Sequence, residues 1–260
     1  MAKTKPAAVV VEPLNLDSAL GKNWNRVVKM GVELEGGWVK NPSLPKGYKI
    51  EGDGSVFSDG NISSHPRHAE MSANGIKGEL AIGPFVPAQM PVSVKKFYPE
   101  LVDKTCGMHV HMSFLRSYEY ALLADTPVYQ ETMLHYLLKW ANLEGFGNSH
   151  YIWDRLKGKN RYCTKEFWPY AQMDKTNKNY GQEGQHRYTA ISYQWSRYKT
   201  VECRVLPMME TPAQAIRAIK EVVKITNAYL VKVDKMKIRG GGKVELPGGE
   251  TYSETMEIRV

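Results

Sequence analysis

Three segments far apart in this chain share one pattern, in which two chemistry-bearing residues stand two positions apart with apolar residues between them. They are Gly31-Val32-Glu33-Leu34-Glu35-Gly36-Gly37, Cys106-Gly107-Met108-His109-Val110-His111-Met112-Ser113-Phe114 and Thr200-Val201-Glu202-Cys203-Arg204-Val205-Leu206. A spacing of two is the period of a strand and not of a helix, because alternate strand residues point to opposite faces. The pattern therefore asks for a sheet that is apolar on one side and lined with carboxylates, imidazoles and a guanidinium on the other.

Other segments suit such a sheet. Alternating runs bounded by Gly or Pro predict strands over Val27 to Trp38, Tyr48 to Phe57, Ile76 to Ile82, Gly107 to Phe114, Tyr188 to Trp195 and Thr200 to Leu206. Apolar residues at three-to-four spacing predict helices over Val92 to Val102, Pro127 to Leu143 and Pro212 to Val233, with Thr211 and Pro212 as a cap-then-proline start for the last. In that last helix Ala215, Ile219, Val222, Val223 and Leu230 read as core support. No repeating βαβ pattern is present, so the fold class is α+β and not a doubly wound sheet. Residues 1–25 read as a loose N-terminal arm, 26–236 as one catalytic domain, and 237–260, with two glycine clusters, as a terminal hairpin or tail.

Composition narrows the setting. The chain has 260 residues, 42% hydrophobic and 24% charged, an ordinary globular mixture. No apolar run approaches the roughly 18 residues of a membrane span, and the N-terminus lacks an export signal, so a cytoplasmic protein without membrane contact is expected. Cys106, Cys163 and Cys203 have no CxxC spacing and read as buried free thiols. The net charge of +8 suits anionic partners such as nucleotide phosphates or a nucleic acid.

Each motif has a chemical reading and a plainer one. Glu33 and Glu35 side by side repel unless a cation lies between them, and hard divalent ions such as magnesium take carboxylate oxygens and bridge to phosphates. The plainer reading is a solvated strand face. His109 and His111 could be nitrogen ligands or proton carriers, or polar residues of a half-buried strand. Glu202 and Arg204 could be a simple ion pair, yet an arginine fork also suits a phosphoryl group. Side by side, the three strands would form one surface fit for metal-nucleotide chemistry.

The order GVELEGGW, GELAIGPF, CGMHVHMSF, HRYTAIS and TVECRVL resembles the motif series of the glutamine synthetase superfamily, most closely its small amidoligase branch, over roughly residues 28–230. That resemblance implies a curved, mostly antiparallel sheet of glutamine synthetase-like catalytic type, with helices on its convex face. It also implies an ATP- and magnesium-dependent carboxylate-amine ligase that forms an amide through an acyl phosphate. Glu33, Glu35, Glu79, His109 and Glu202 match metal ligands for magnesium ions, two or three in number. Glu70 lies close enough in sequence to compete with Glu79. His111 matches a residue near the substrate carboxylate or acyl phosphate, and Arg204 one that contacts the transferred phosphoryl group. Arg187 resembles an ATP-phosphate contact, while Asn160 and Arg161 fall in a substrate-binding loop. Asp53, within a Gly-Asp-Gly turn, resembles an element that orients or deprotonates the amine. The chain is far shorter than a glutamine synthetase, so an active site shared between subunits need not follow.

Two other functions compete. A guanidine-kinase-type phosphotransferase would use similar groups without forming an amide. A nucleic-acid-binding protein, or an enzyme that hypermodifies a DNA base, would use the positive charge and the stretch in which Trp153, Tyr162, Phe167, Trp168 and Tyr170 interleave with Arg155, Lys157, Lys159, Arg161 and Lys165. That stretch also reads as a packed substrate-facing loop. His65 and His68 read as a polar loop. The carboxylate and the amine, whether free or borne on a macromolecule, are not legible, and neither is the oligomeric state.

Overall fold

Strand β1 (Val27–Trp38) alternates as its sequence dictates, with Met30, Val32 and Leu34 buried on one face. It lies inside a six-stranded sheet, antiparallel at every pairing and not closed into a barrel, in the computed structural model of the chain. The structure describes residues 14, 26–57, 76–115, 119, 123, 128–160, 163–165, 188–194, 199–240, 244–245 and 251–252. The other strands are β2 (Ile50–Glu51), β3 (Ile76–Phe85), β4 (Gly107–Phe114), β5 (Ile191–Gln194) and β6 (Thr200–Pro207), in the spatial order β2-β3-β1-β4-β6-β5. The three motif segments thus occupy β1, β4 and β6, which are direct neighbours.

Helices α1 (Met90–Phe97), α2 (Val128–Leu143), α3 (Ile152–Leu156) and α4 (Pro212–Gly240) complete the α+β fold among the described residues. The apolar face of the sheet meets α4 and α2. Met108, Val110 and Met112 of β4 are fully buried, the Thr226 hydroxyl of α4 donates to Met112 Sδ at 3.5 Å, and Tyr129 of α2 bonds Thr226 at 2.8 Å. Asn227 Oδ1 accepts from the backbone N–H groups of Arg26 and Val27 at 2.7 and 3.3 Å, which ties the start of β1 to the same helix. At the start of α4 the Thr211 hydroxyl accepts the Gln214 N–H at 3.2 Å while Gln214 Oε1 accepts the Thr211 N–H at 3.1 Å. This reciprocal cap satisfies two orphan donors, and Ala215, Ile219, Val222, Val223 and Leu230 are all buried as expected.

Several boundaries differ from expectation, each for a local reason. The run from Tyr48 to Phe57 pairs only at Ile50–Glu51, because Asp53 turns the chain by accepting the Ser55 N–H and hydroxyl at 2.6 and 2.7 Å. Helix α1 stops at Phe97 instead of Val102: Tyr98 precedes Pro99 and is extended, and Leu101 then pairs with Gly37. Strand β3 runs on to Phe85, and α4 to Gly240. Strand β5 is shorter than Tyr188 to Trp195, and Trp195 lies outside the described residues. Helix α3 is unanticipated. In the terminal segment β7 (Val244–Glu245) and β8 (Thr251–Tyr252) pair antiparallel, as a hairpin does. Of the arm only Leu14 is described, packed by its backbone onto Tyr136.

Two bulges shape the functional face. Between the pairs Met108↔Leu206 and Val110↔Cys203, strand β6 uses two residues, Arg204 and Val205, opposite the single residue His109. Between Met30↔Phe85 and Val32↔Ile82, Gly83 and Pro84 of β3 stand opposite Gly31. A bulge resets the alternation. In β6 it leaves Glu202 and Arg204 on the polar face and returns Leu206 to the core opposite Met108.

Candidate metal centre

Register brings the polar residues together. Glu35 stands opposite Glu79 of β3, Glu33 opposite His109 of β4, and His111 opposite Glu202 of β6. Side chains from four adjacent strands therefore share one face, with Val32, Leu34, Val110 and Cys203 packed behind them. The contacts are close. Glu33 holds both imidazoles, Oε2 at 2.7 Å from His109 Nδ1 and Oε1 at 2.9 Å from His111 Nε2. His109 also lies 3.5 Å from Glu35 Oε1 and 3.4 Å from Glu202 Oε1. Arg204 pairs with Glu202 through Nη1, and the Gly107 N–H donates to Glu35 Oε2. Thr200 Oγ1 bonds His111 Nδ1 at 3.3 Å.

These contacts set the charges of the metal-free protein. Burial, followed by the negative charges of Glu33, Glu35, Asp53 and Glu202, raises the Glu79 carboxyl to about 8. Burial would also raise Glu33, but the charge of His111 and the hydrogen bonds from both imidazoles outweigh it and hold Glu33 well below the usual carboxylate range. Burial disfavours a charged His111, yet the carboxylates of Glu33 and Glu202 raise it to about 9. Arg204 is likewise held as a guanidinium against burial by Glu202, Glu33 and Glu35. At neutral pH, protons on Glu79 and His111 offset part of a crowded negative charge.

A divalent cation is the other way to offset it. Among the described residues three triads have ligand atoms within 4.8 Å of one another: Glu33, His111 and Glu202; Glu33, Glu79 and His109; and Glu35, Asp53 and Glu79. Carboxylate oxygens dominate the set, the donor chemistry of hard ions such as magnesium or manganese, with imidazole as an added nitrogen ligand. The residues present fit such an ion. The chain was compared with protein-family models, with curated proteins and with solved structures. None of the three comparisons finds a match.

Of the residues read from the sequence, Glu33, Glu35, Glu79, His109, His111, Glu202, Arg204 and Asp53 all belong to this centre, Asp53 both as a turn residue and as a member of a triad. Asn160 falls in the turn after α3, where its carbonyl accepts the Cys163 N–H at 3.1 Å. Arg161, Arg187, Glu70, His65 and His68 lie outside the described residues. The three cysteines are free and buried.

The sequence reading missed the continuation of the face. Beside the centre opens a cavity of about 390 Å³ whose lining includes Lys29, Gly31, Glu33, His111, Ser113 and Thr200. Its signal was available: Lys29, Gly31 and Glu33, like Ser113 with His111 and Thr200 with Glu202, keep the same two-residue spacing. Arg155 carried no such signal. Its stretch read as a nucleic-acid contact or a packed substrate-facing loop, and its side chain is buried. Trp153 of that stretch donates its indole N–H to the Gly147 carbonyl at 2.8 Å. Among the described residues no helix is long and apolar enough to cross a membrane.

Proposed function

We propose that this chain is an ATP- and magnesium-dependent carboxylate-amine ligase of glutamine synthetase-like type, and that the polar face of its sheet is the active site. The observation that carries the reading is the meeting of Glu33, Glu35, Glu79, His109 and Glu202, with Arg204 beside them, in overlapping ligand triads on one face. The reaction class comes from the motif order, which resembles that of the small amidoligases.

Bound magnesium would supply charge neutralisation for the nucleotide phosphates and for the phosphoryl group in transfer. Glu33, Glu35, Glu79, His109 and Glu202 would hold it. Arg204, fixed by Glu202, turns its remaining donors toward the phosphoryl oxygens while the substrate carboxylate attacks the γ-phosphorus. ADP leaves, and the acid is carried forward as an acyl phosphate. His111, next to the cavity and charged in the metal-free protein, stabilises the carboxylate and then the acyl oxygen. The amine loses its proton to a nearby carboxylate, with Asp53 the candidate, and attacks the acyl carbon. Phosphate departs and the amide remains.

The cavity that shares Glu33 and His111 with the centre is the place for the organic part of the acid. Gly31, Ala81 and Gly83 of its lining have little or no side chain, and Lys29, Ser113 and Thr200 supply polar groups. A screen of carboxylates and amines with ATP and magnesium tests the reading by phosphate release and then product mass. An amide whose formation consumes one ATP supports it. A phosphorylated amine or guanidine would assign the chain to the phosphotransferases instead, and phosphate release that ignores every added acid and amine would reject it.

A further inference from the structure

The space directly above Gly107 is claimed by three groups from three elements. A Cβ on Gly107 would lie 3.0 Å from His109 Nε2, 3.1 Å from Arg155 Nη1 and 3.1 Å from Glu35 Oε2. Two of those groups are metal-ligand candidates. The third, Arg155, comes from the short helix α3 and has no role in the reaction outlined above.

Arg155 is 3% exposed. Its Nη1 reaches the carbonyls of Arg204 and Leu206, each at 3.4 Å, and its Nη2 the carbonyl of Thr105 at 3.5 Å. Its Nε finds no acceptor among the described residues. Burying a guanidinium on long bonds to neutral carbonyls is unfavourable unless something else requires it there. Both β6 carbonyls flank Val205, one of the two bulge residues opposite His109. Thr105 lies in the loop that enters β4, two residues before Gly107. A single planar fork therefore clamps the β6 bulge to the entry of β4, and its Nη1 meets His109 Nε2 and Glu35 Oε2 around the space above Gly107.

We propose that Arg155 is the positioning residue of the metal centre, fixing the β6 bulge and the room above Gly107 so that His109 Nε2 and Glu35 are held where a cation can use them. The proposal rests on reading the acidic face as a cation site. Gly107 is its complement, since any side chain there would enter the space in which the three groups meet. The role needs the flat fork, which spans three carbonyls at once; a lysine ammonium at the same place keeps the charge but not the clamp.

Positioning and bystander roles predict opposite signs. A cation that merely sits near the centre repels metal, so its removal would tighten binding. A positioning residue does the reverse: loss of an outer contact that orients ligands weakens metal affinity about tenfold or more. Arg155→Met and Arg155→Lys are compared with the unaltered chain by calorimetric titration with magnesium and manganese, and by side-chain ¹⁵N spectra of the histidines in chelator. Expected are unchanged far-UV circular dichroism, displaced His109 resonances without metal, at least tenfold weaker metal binding in Arg155→Met, and incomplete recovery in Arg155→Lys. Gly107→Ala leaves Arg155 in place but invades the shared room, and it reproduces both effects; it decides the matter if Arg155→Met does not fold. Equal or tighter metal binding by the variants, with His109 resonances in place, overturns the proposal. If the unaltered chain binds neither ion, the cation reading fails instead, and unmoved His109 resonances would then remove the positioning role as well.

Discussion

Replacing Glu79 by glutamine is predicted to stabilise the metal-free protein while abolishing much of what magnesium adds to it. The folded-state carboxyl is raised from an ordinary 4.5 to about 8, mainly by burial and then by its acidic neighbours. Between those pH values the folded chain keeps a proton that the unfolded chain has released, so stability falls as pH rises, by up to about 1.4 kcal/mol per pH unit. Taken in full the window would give roughly 5 kcal/mol; solvent screening at a carboxyl that is only partly buried reduces this to the order of 2–3 kcal/mol. His111 adds a loss of the same sign, since its raised value makes its contribution complete below 6.5 and gone as pH passes about 9. Glu33 works the other way but only in acid, its contribution being present above the ordinary 4.5 and lost as pH falls through its depressed value. Urea denaturation in chelator from pH 5 to 8.5 should therefore show the unaltered chain weakening steadily. Glu79→Gln should be flatter, more stable at pH 8 by on the order of 2–3 kcal/mol, and left with the His111 slope above 6.5. With magnesium the ranking reverses, because the ion takes the place of the Glu79 proton only in the unaltered chain. A variant as pH-dependent as its parent, or less stable than it at pH 8 in chelator, would refute the reasoning.

Further expectations concern the centre and the core. Magnesium at about 100 times its dissociation constant should stabilise the protein by about 2.7 kcal/mol, and Glu33→Ala or Glu202→Ala should remove most of that gain in thermal-shift measurements. Arg204→Met should lower ATP-dependent amide formation by about 100-fold or more yet keep a magnesium-dependent thermal shift; loss of both together would mean that Arg204 supports the centre instead of the reaction. Met112→Ala, at a fully buried position against Thr226, should cost about 2–5 kcal/mol in urea denaturation and leave metal affinity near that of the parent.

The strands that carry the chemistry were also the ones most legible in the sequence. Strands β1 and β4 have the ends expected for them, Val27–Trp38 and Gly107–Phe114, because a strand with one buried and one polar face writes its period into nearly every residue. The same alternation placed Glu33 with Glu35 and His109 with His111. It did not show the β6 bulge, since Val205 and Leu206 are both apolar and either could have faced the core. Nor could it show which strands are neighbours, which depends on packing against α2 and α4. Arg155 was illegible for a related reason: its value lies in three carbonyls distant in sequence, and nothing in the run Ile152 to Leu156 distinguishes it from a solvated arginine.

Glu33 belongs to two of the ligand triads and Glu79 to two, so each adjacent pair of positions has one carboxylate in common. If cations occupy these positions as proposed, they would load as a ladder and not as separate compartments. On the proposed reading, Glu33 and Glu79 would each be shared between neighbouring ions, whose mutual repulsion an anionic substrate would offset. A triphosphate is such an anion. On the proposed reading the nucleotide would complete the loading, and full occupancy would itself report that fuel is present.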